Sequence, residues 1–201
     1  MGLLDIVRGR AGRIREAAAL ADFIDQNAAF LVQKGIYEYA RARAGHYAKV
    51  LFTEAGFKQA VEISRWRSYP LGLAMIAEMV EGILRPHLDE RRAALDPLTV
   101  LVLTVFDRYP VPAALGPEVW SELRSDLVRR LNLIGTHDIK PAKDIPIPFA
   151  QDYFDLLPIH EKLRAAEFPT ITNYLRVTLC NIHDEFSQRA DVAALAQMLR
   201  G

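Results

Sequence analysis

Apolar residues recur at intervals of three and four along almost the whole chain, and strict alternation is nearly absent, so the pattern predicts an all-α protein. From Asp22 to Ala44, the positions Ile24, Ala28, Leu31, Gly35, Tyr39 and Ala42 share one face of a helix, while Phe23, Phe30 and Tyr37, spaced by seven, draw a second line. That helix is expected to touch neighbours on two sides, with Asn27 and Lys34 partly enclosed and the stripes serving packing. A second helix is expected from Thr53 to Arg67. Pro70 lacks an amide proton and its ring meets the preceding turn, so the path should break or bend there before a third helix. Between Pro70 and Arg85 the only charged groups are Glu78, Glu81 and Arg85. Their spacing puts them on one narrow stripe of an otherwise apolar helix, which predicts a place near the centre of a bundle.

Asp96-Pro97 reads as an N-cap followed by proline at the first helical position, opening "LTVLVLTVFDRY". Its valines and threonines would also suit a strand; length and cap favour a buried helix. Glu118 to Ile134 is amphipathic, with Trp120, Leu123, Leu127, Leu131 and Ile134 as the stripe and Gly135 placed to end it. Residues 135–148, "GTHDIKPAKDIPIP", hold three prolines and no helical period, so they read as an irregular stretch. Helices resume at 149–157, 158–164 and 169–189, and again after the N-cap Asp191. The expectation is a single all-α domain of about seven to nine helices, built around 70–85 and 169–189, with one long proline-rich loop crossing its surface. Residues 1–18 form an amphipathic N-terminal segment ahead of a helical domain over 19–201.

The segment 168–189 holds the densest chemistry. Phe168, Ile171, Leu175, Leu179, Ile182 and Phe186 make an inward stripe, while Thr172, Asn173, Tyr174, Thr178 and Asn181 lie off it and are neutral hydrogen-bonding groups. Because a solvated face usually carries more Lys and Glu, this helix is expected to be enclosed on more than one side with its polar groups paired. Cys180, His183 and Asp184 sit close together on it. A thiol nucleophile needs a histidine aimed at its sulfur and a third orienting group, usually from different elements, whereas these side chains all project outward from one helix. The alternative to a structural helix is a pocket lined by Arg176, Cys180, His183 and Asp184 together with Glu78 and Glu81. For that stripe the plainer expectation is a Glu81–Arg85 pair facing solvent.

Composition removes several classes. With 25 basic and 25 acidic side chains the formal net charge is zero, so the field that gathers phosphates along a nucleic acid is missing, and no nucleic-acid partner is expected. One cysteine allows neither an internal disulfide nor a cysteine-rich zinc site. The five histidines are scattered, without the Glu-x-x-His or H-E-x-x-H spacings of helical metal sites, and glycine-rich phosphate loops and a G-x-S-x-G elbow are absent from the sequence. No cofactor or metal is expected. A reducing cytoplasm fits the cysteine usage; the arginines at the start follow a very short apolar patch, the wrong order for a secretory signal, and no apolar run is long enough to span a membrane.

Arginine supplies 19 of the 25 basic residues. R-x-R pairs at Arg8/Arg10, Arg13/Arg15, Arg41/Arg43 and Arg65/Arg67 diverge on a helix and so flank apolar faces instead of forming clamps. At the N-terminus Leu3, Leu4, Val7, Ala11 and Ile14 line one face flanked by Arg8, Arg10, Arg13 and Arg15, the outline of a helix lying on an anionic surface. Docking on its own bundle or on a second subunit would give the same pattern. The functional expectation is a non-enzymatic, cytoplasmic helical adaptor that binds a protein partner or a second copy of itself, peripheral to the inner face of a membrane through this segment. The alternative is an enzyme or small-ligand binder with a pocket near Cys180 and His183.

Overall fold

The first helical stripe forms as its period requires. The computed structural model describes residues 12–88, 95–159 and 166–200. In it helix α1 covers Ala17–Ala44, starting ahead of Asp22, and it buries Ile24, Ala28, Leu31, Gly35 and Tyr39. Ala42 lies beyond the core and is exposed. Of the aromatic line only Phe23 is buried; Phe30 and Tyr37 face outward, and Lys34 is exposed beside them. Gly45, with φ at +54°, turns the chain out of α1 into a one-turn helix, Ala48–Leu51.

Helix α2 then runs unbroken over Ala55–Leu84, so the expected interruption at Pro70 does not occur. Proline in a helix interior costs about 3 kcal/mol because one ladder bond is lost and the ring crowds the previous turn. Here every residue from Ser68 to Glu81 is buried. Each fully buried Leu, Ile, Val or Met side chain contributes roughly 1.5–3 kcal/mol, so packing on all sides outweighs the one lost bond. The Ser68 hydroxyl, which donates to the Ser64 carbonyl at 2.8 Å, supplies a local bond one turn before the ring. Helix α2 is thus the central rod, and α1 crosses it so closely that a Cβ on Gly72 would stand 2.6 Å from the Ala28 carbonyl oxygen.

Helix α3, Leu95–Phe106, settles the segment that would also have suited a strand. It buries only one face, leaving Val100 exposed. Helix α4 is Pro117–Leu131, with Trp120, Leu127 and Leu131 inward, and Gly135 follows it at φ +79°. Trp66 of α2 meets Tyr109 and Trp120 edge-on at 5.3 and 5.8 Å, and Phe106 stacks on Trp120 at 4.2 Å. These rings lock α2, α3 and α4 together.

Residues 135–148 cross the outside of α2 as an irregular strap, as their prolines predict, and lead into helix α5, Ala150–Asp155. Helix α6, Phe168–Arg189, lies against α1, and helix α7, Val192–Leu199, begins at Asp191, whose carboxylate accepts from the Ala194 amide at 3.2 Å. The expected helix over 158–164 falls largely outside the described residues. Among those described there is no β-strand beyond one isolated parallel bridge between Ile14 and Ala190. The result is a single-domain all-α bundle.

Candidate functional site

Two places bring the chemistry-bearing residues together, and they differ in access. The first is the acidic stripe of α2. Glu78 and Glu81 are both buried, which corrects the expectation of a solvent-facing stripe. The pair itself forms: Arg85 grips Glu81 through two parallel bonds, Nε to Oε1 and Nη2 to Oε2, each 2.7 Å. Glu78 finds its counterion on the strap. Lys140 donates to Glu78 at 2.8 Å, His137 Nε2 lies 3.5 Å from the same oxygen, and Arg85 Nη1 donates to the His137 carbonyl at 2.8 Å. The bond to Glu81 holds the Arg85 guanidinium above its ordinary pKa against the opposing effect of burial. Buried carboxylates survive in a core only when paired, and here the strap and Arg85 pair them.

The cavity beside this cluster is about 70 Å³ and is lined by Glu78, Gly82, Ile139, Lys140 and His183 among others. Pockets that take small molecules run to roughly 300–1,000 Å³, so this space suits a few waters and not a substrate. Of the six residues that would have to converge for catalysis, only Glu78 and His183 share it. Arg176 reaches the strap instead, donating from Nε to the Lys143 carbonyl at 2.8 Å with Asp144 at 3.6 Å. Glu81 is consumed by Arg85. Cys180 is a free, half-buried thiol, and Asp184 stands on the open side, where its carboxylate is 3.3 Å from His183 Nδ1. Among the described residues no group of three or more His, Cys, Asp or Glu is placed to hold a metal.

The second place is open. Helix α6 buries Ile171, Leu175, Leu179, Ile182 and Phe186 as its stripe requires. Its far side is open: Asn173, Val177, Asn181, Asp184 and Gln188, spaced by three and four, are all exposed, so the expected enclosure holds for Thr172, Tyr174 and Thr178, which are half-buried or buried, and not for Asn173 and Asn181. Only Asp184 among the five is charged. Beside this line, between α6 and α1, lies a groove of about 730 Å³ lined by Asn27, Phe30, Lys34, Asn181, Asp184 and Gln188 among others. Phe30 is 47% exposed and Val177 52%. The Lys34 ammonium stands 5.0 Å over the Phe30 ring, and Asn27 donates to the Phe23 carbonyl at 2.9 Å.

Two tyrosines fasten α1 to α5 and α6. Tyr153 donates to the Val32 carbonyl at 2.7 Å and Tyr174 to the Leu31 carbonyl at 3.2 Å, so two ring systems close over Gly35 where a side chain would clash. Burial pushes the Tyr174 hydroxyl up to about 12 and that of Tyr153 well above its ordinary value. A third fastening, invisible in the sequence because its members are far apart, is Asp25 of α1, which accepts from Tyr69 at 2.7 Å and from Tyr109 at 2.9 Å. Burial and then Asp25 raise the Tyr69 pKa far above normal.

At the N-terminus, Leu3, Leu4, Val7, Arg8 and Arg10 lie outside the described residues. Residues 12–16 are not helical: Ile14 donates to the Arg189 carbonyl at 2.9 Å and accepts from the Asp191 amide at 2.8 Å. The Ile14 side chain is buried in the core, so it is unavailable to a membrane or partner, while Arg13 and Arg15 remain exposed. No described helix is long and apolar enough to cross a membrane. No family model, curated protein or solved structure matches the chain.

Proposed function

We propose that this chain is a non-enzymatic, cytoplasmic binding protein that takes a protein partner along the outward line of α6 and the groove it forms with α1. The observation that carries the reading is the composition of that line: five consecutive outward positions with one charge, Asp184, beside the half-exposed ring of Phe30. A solvated helix face is normally charged, whereas the cores of protein interfaces are depleted in charge and enriched in aromatic groups. Asn27, Asn181 and Gln188 around the groove offer both donors and acceptors, which suits the backbone and neutral side chains of a partner segment. Lys34, Asp184 and Glu185 mix signs at the rim, so the partner is a near-neutral surface with an apolar anchor over Phe30 in the groove and a further contact on Val177 of the outward line.

The test places a photo-reactive amino acid at Asn181 in the full-length protein, in its native cell. A discrete adduct with another protein or a second copy of this chain is expected, and Val177→Asp should remove it without lowering the melting temperature. Absence of any discrete adduct, or one indifferent to Val177→Asp, contradicts the reading.

A further inference from the structure

At the far end of the α1–α2 hairpin, from Arg41 through Ala60, no residue is buried. Its shape is nonetheless held by its own small ring cluster, Tyr37 stacked on Phe52 at 6.1 Å and Phe52 edge-on to Phe57 at 5.0 Å. Outside that cluster two apolar groups face solvent without a partner, Tyr47 at 77% and Val50 at 58% exposed. Between Glu38 and Glu54 every charged residue is basic, namely Arg41, Arg43 and Lys49, with His46 among them. Arg43 is paired with Glu167 at 3.1 Å. Arg41 and Lys49 form no ion pair among the described residues, and with His46 and Phe52 they line an open hollow of about 650 Å³ that has no acidic wall.

The negative end of the α1 dipole accounts for arginines in its last turn. It does not account for Lys49 beyond the helix, nor for an exposed tyrosine and valine on either side of it. Cations on apolar stems ringing an exposed aromatic and an aliphatic group are the chemistry that meets the interface of an anionic bilayer: the ring and branched side chain enter the headgroup layer while the cations contact phosphates. We infer that the tip formed by Arg41–Phe52 is a membrane-contact site for anionic phospholipid, with a headgroup phosphate seated among Arg41, His46 and Lys49 and with Tyr47 and Val50 inserted beside it. The site is separate from the α1–α6 groove.

Co-sedimentation of the full-length protein with phosphatidylcholine vesicles, with and without phosphatidylserine, tests it. Binding is expected only with phosphatidylserine, and it should weaken as salt rises. Arg41→Gln and Lys49→Gln should each reduce partition about fivefold and act together, because each removes one charge near the surface. Tyr47→Ser with Val50→Ser should weaken binding while leaving its salt dependence in place. Deleting residues 1–11 should leave binding unchanged. These side chains are exposed, so the variants should melt like the parent. Equal binding to both vesicle types, indifference to the Arg41 and Lys49 changes, indifference to the Tyr47 and Val50 changes, or loss of binding on deletion of 1–11 would each overturn the site. Full competition by inorganic phosphate at matched ionic strength would assign the hollow to a free anion and overturn it as well.

Discussion

Gly72 and Ala28 meet where α1 crosses α2, and a methyl added to Gly72 would stand 2.6 Å from the Ala28 carbonyl oxygen. Backbone cannot swing aside as a side chain can, so the two helices would have to separate. Gly72→Ala is therefore expected to destabilise by about 1–3 kcal/mol, even though alanine is otherwise the better helix former. Gly56, in α2 with open space around it, is the control: Gly56→Ala should stabilise by about 0.4–1 kcal/mol. Urea denaturation of both variants checks the pair, and equal, favourable effects would refute the close crossing.

Glu81 and Arg85 form a two-bonded ion pair in the interior, and the strap closes over them through His137. Removing one partner leaves the other charge buried. Glu81→Gln is expected to lower stability by about 3–5 kcal/mol, and replacing both residues with apolar ones of similar volume should recover much of that loss. Limited proteolysis offers a second readout: the single variant should become easier to cut within 135–148, since Arg85 is one of the groups that hold the strap.

Alkaline pH should loosen the bundle at its tyrosines. Tyr69, Tyr153 and Tyr174 have hydroxyl pKa values raised in the folded protein, chiefly by burial, so the folded state keeps protons that the unfolded state gives up. Their contribution is complete below the ordinary tyrosine value of about 10 and falls as pH rises above it, at about 1.4 kcal/mol per pH unit for each group still protonated only in the fold. Melting temperature followed from neutral to strongly alkaline pH should therefore drop above about pH 10. The drop should be shallower in Tyr153→Phe, and tyrosinate absorbance of the buried rings should appear together with unfolding. An equal slope in both proteins would contradict the assignment.

Periodicity was enough to find the stripes of α1, α4 and α6 and the capping by Asp191, because those depend on residues within a few turns. The break that Pro70 suggests is absent for the opposite reason: the local penalty is real, but packing by distant helices overrides it. The same limit applies to Glu78 and Glu81, whose spacing looks like a solvent stripe until Lys140 and His137, from a loop far along the chain, are seen over them. The Asp25, Tyr69 and Tyr109 fastening left no local pattern at all. On α6 the scarcity of charge is legible but its meaning is not, since a face shielded by its own fold and a face left open can share one composition. Ile14 shows the converse. Its apolar character suits a surface anchor and docking on the bundle alike, and only the backbone bonds to Arg189 and Asp191 show it turned inward.

The buried acids hold the structure, whereas the proposed function lies on the α1–α6 surface. Comparing Phe30→Asp with Glu81→Gln separates the two, with cross-linking yield from Asn181 measured at a temperature where both variants remain folded. Phe30 is half exposed, so Phe30→Asp should melt like the parent and lose the adduct; Glu81→Gln should melt lower and keep it. The reverse pattern, an adduct that survives Phe30→Asp but disappears from folded Glu81→Gln, would place the function at the buried acids and contradict the account.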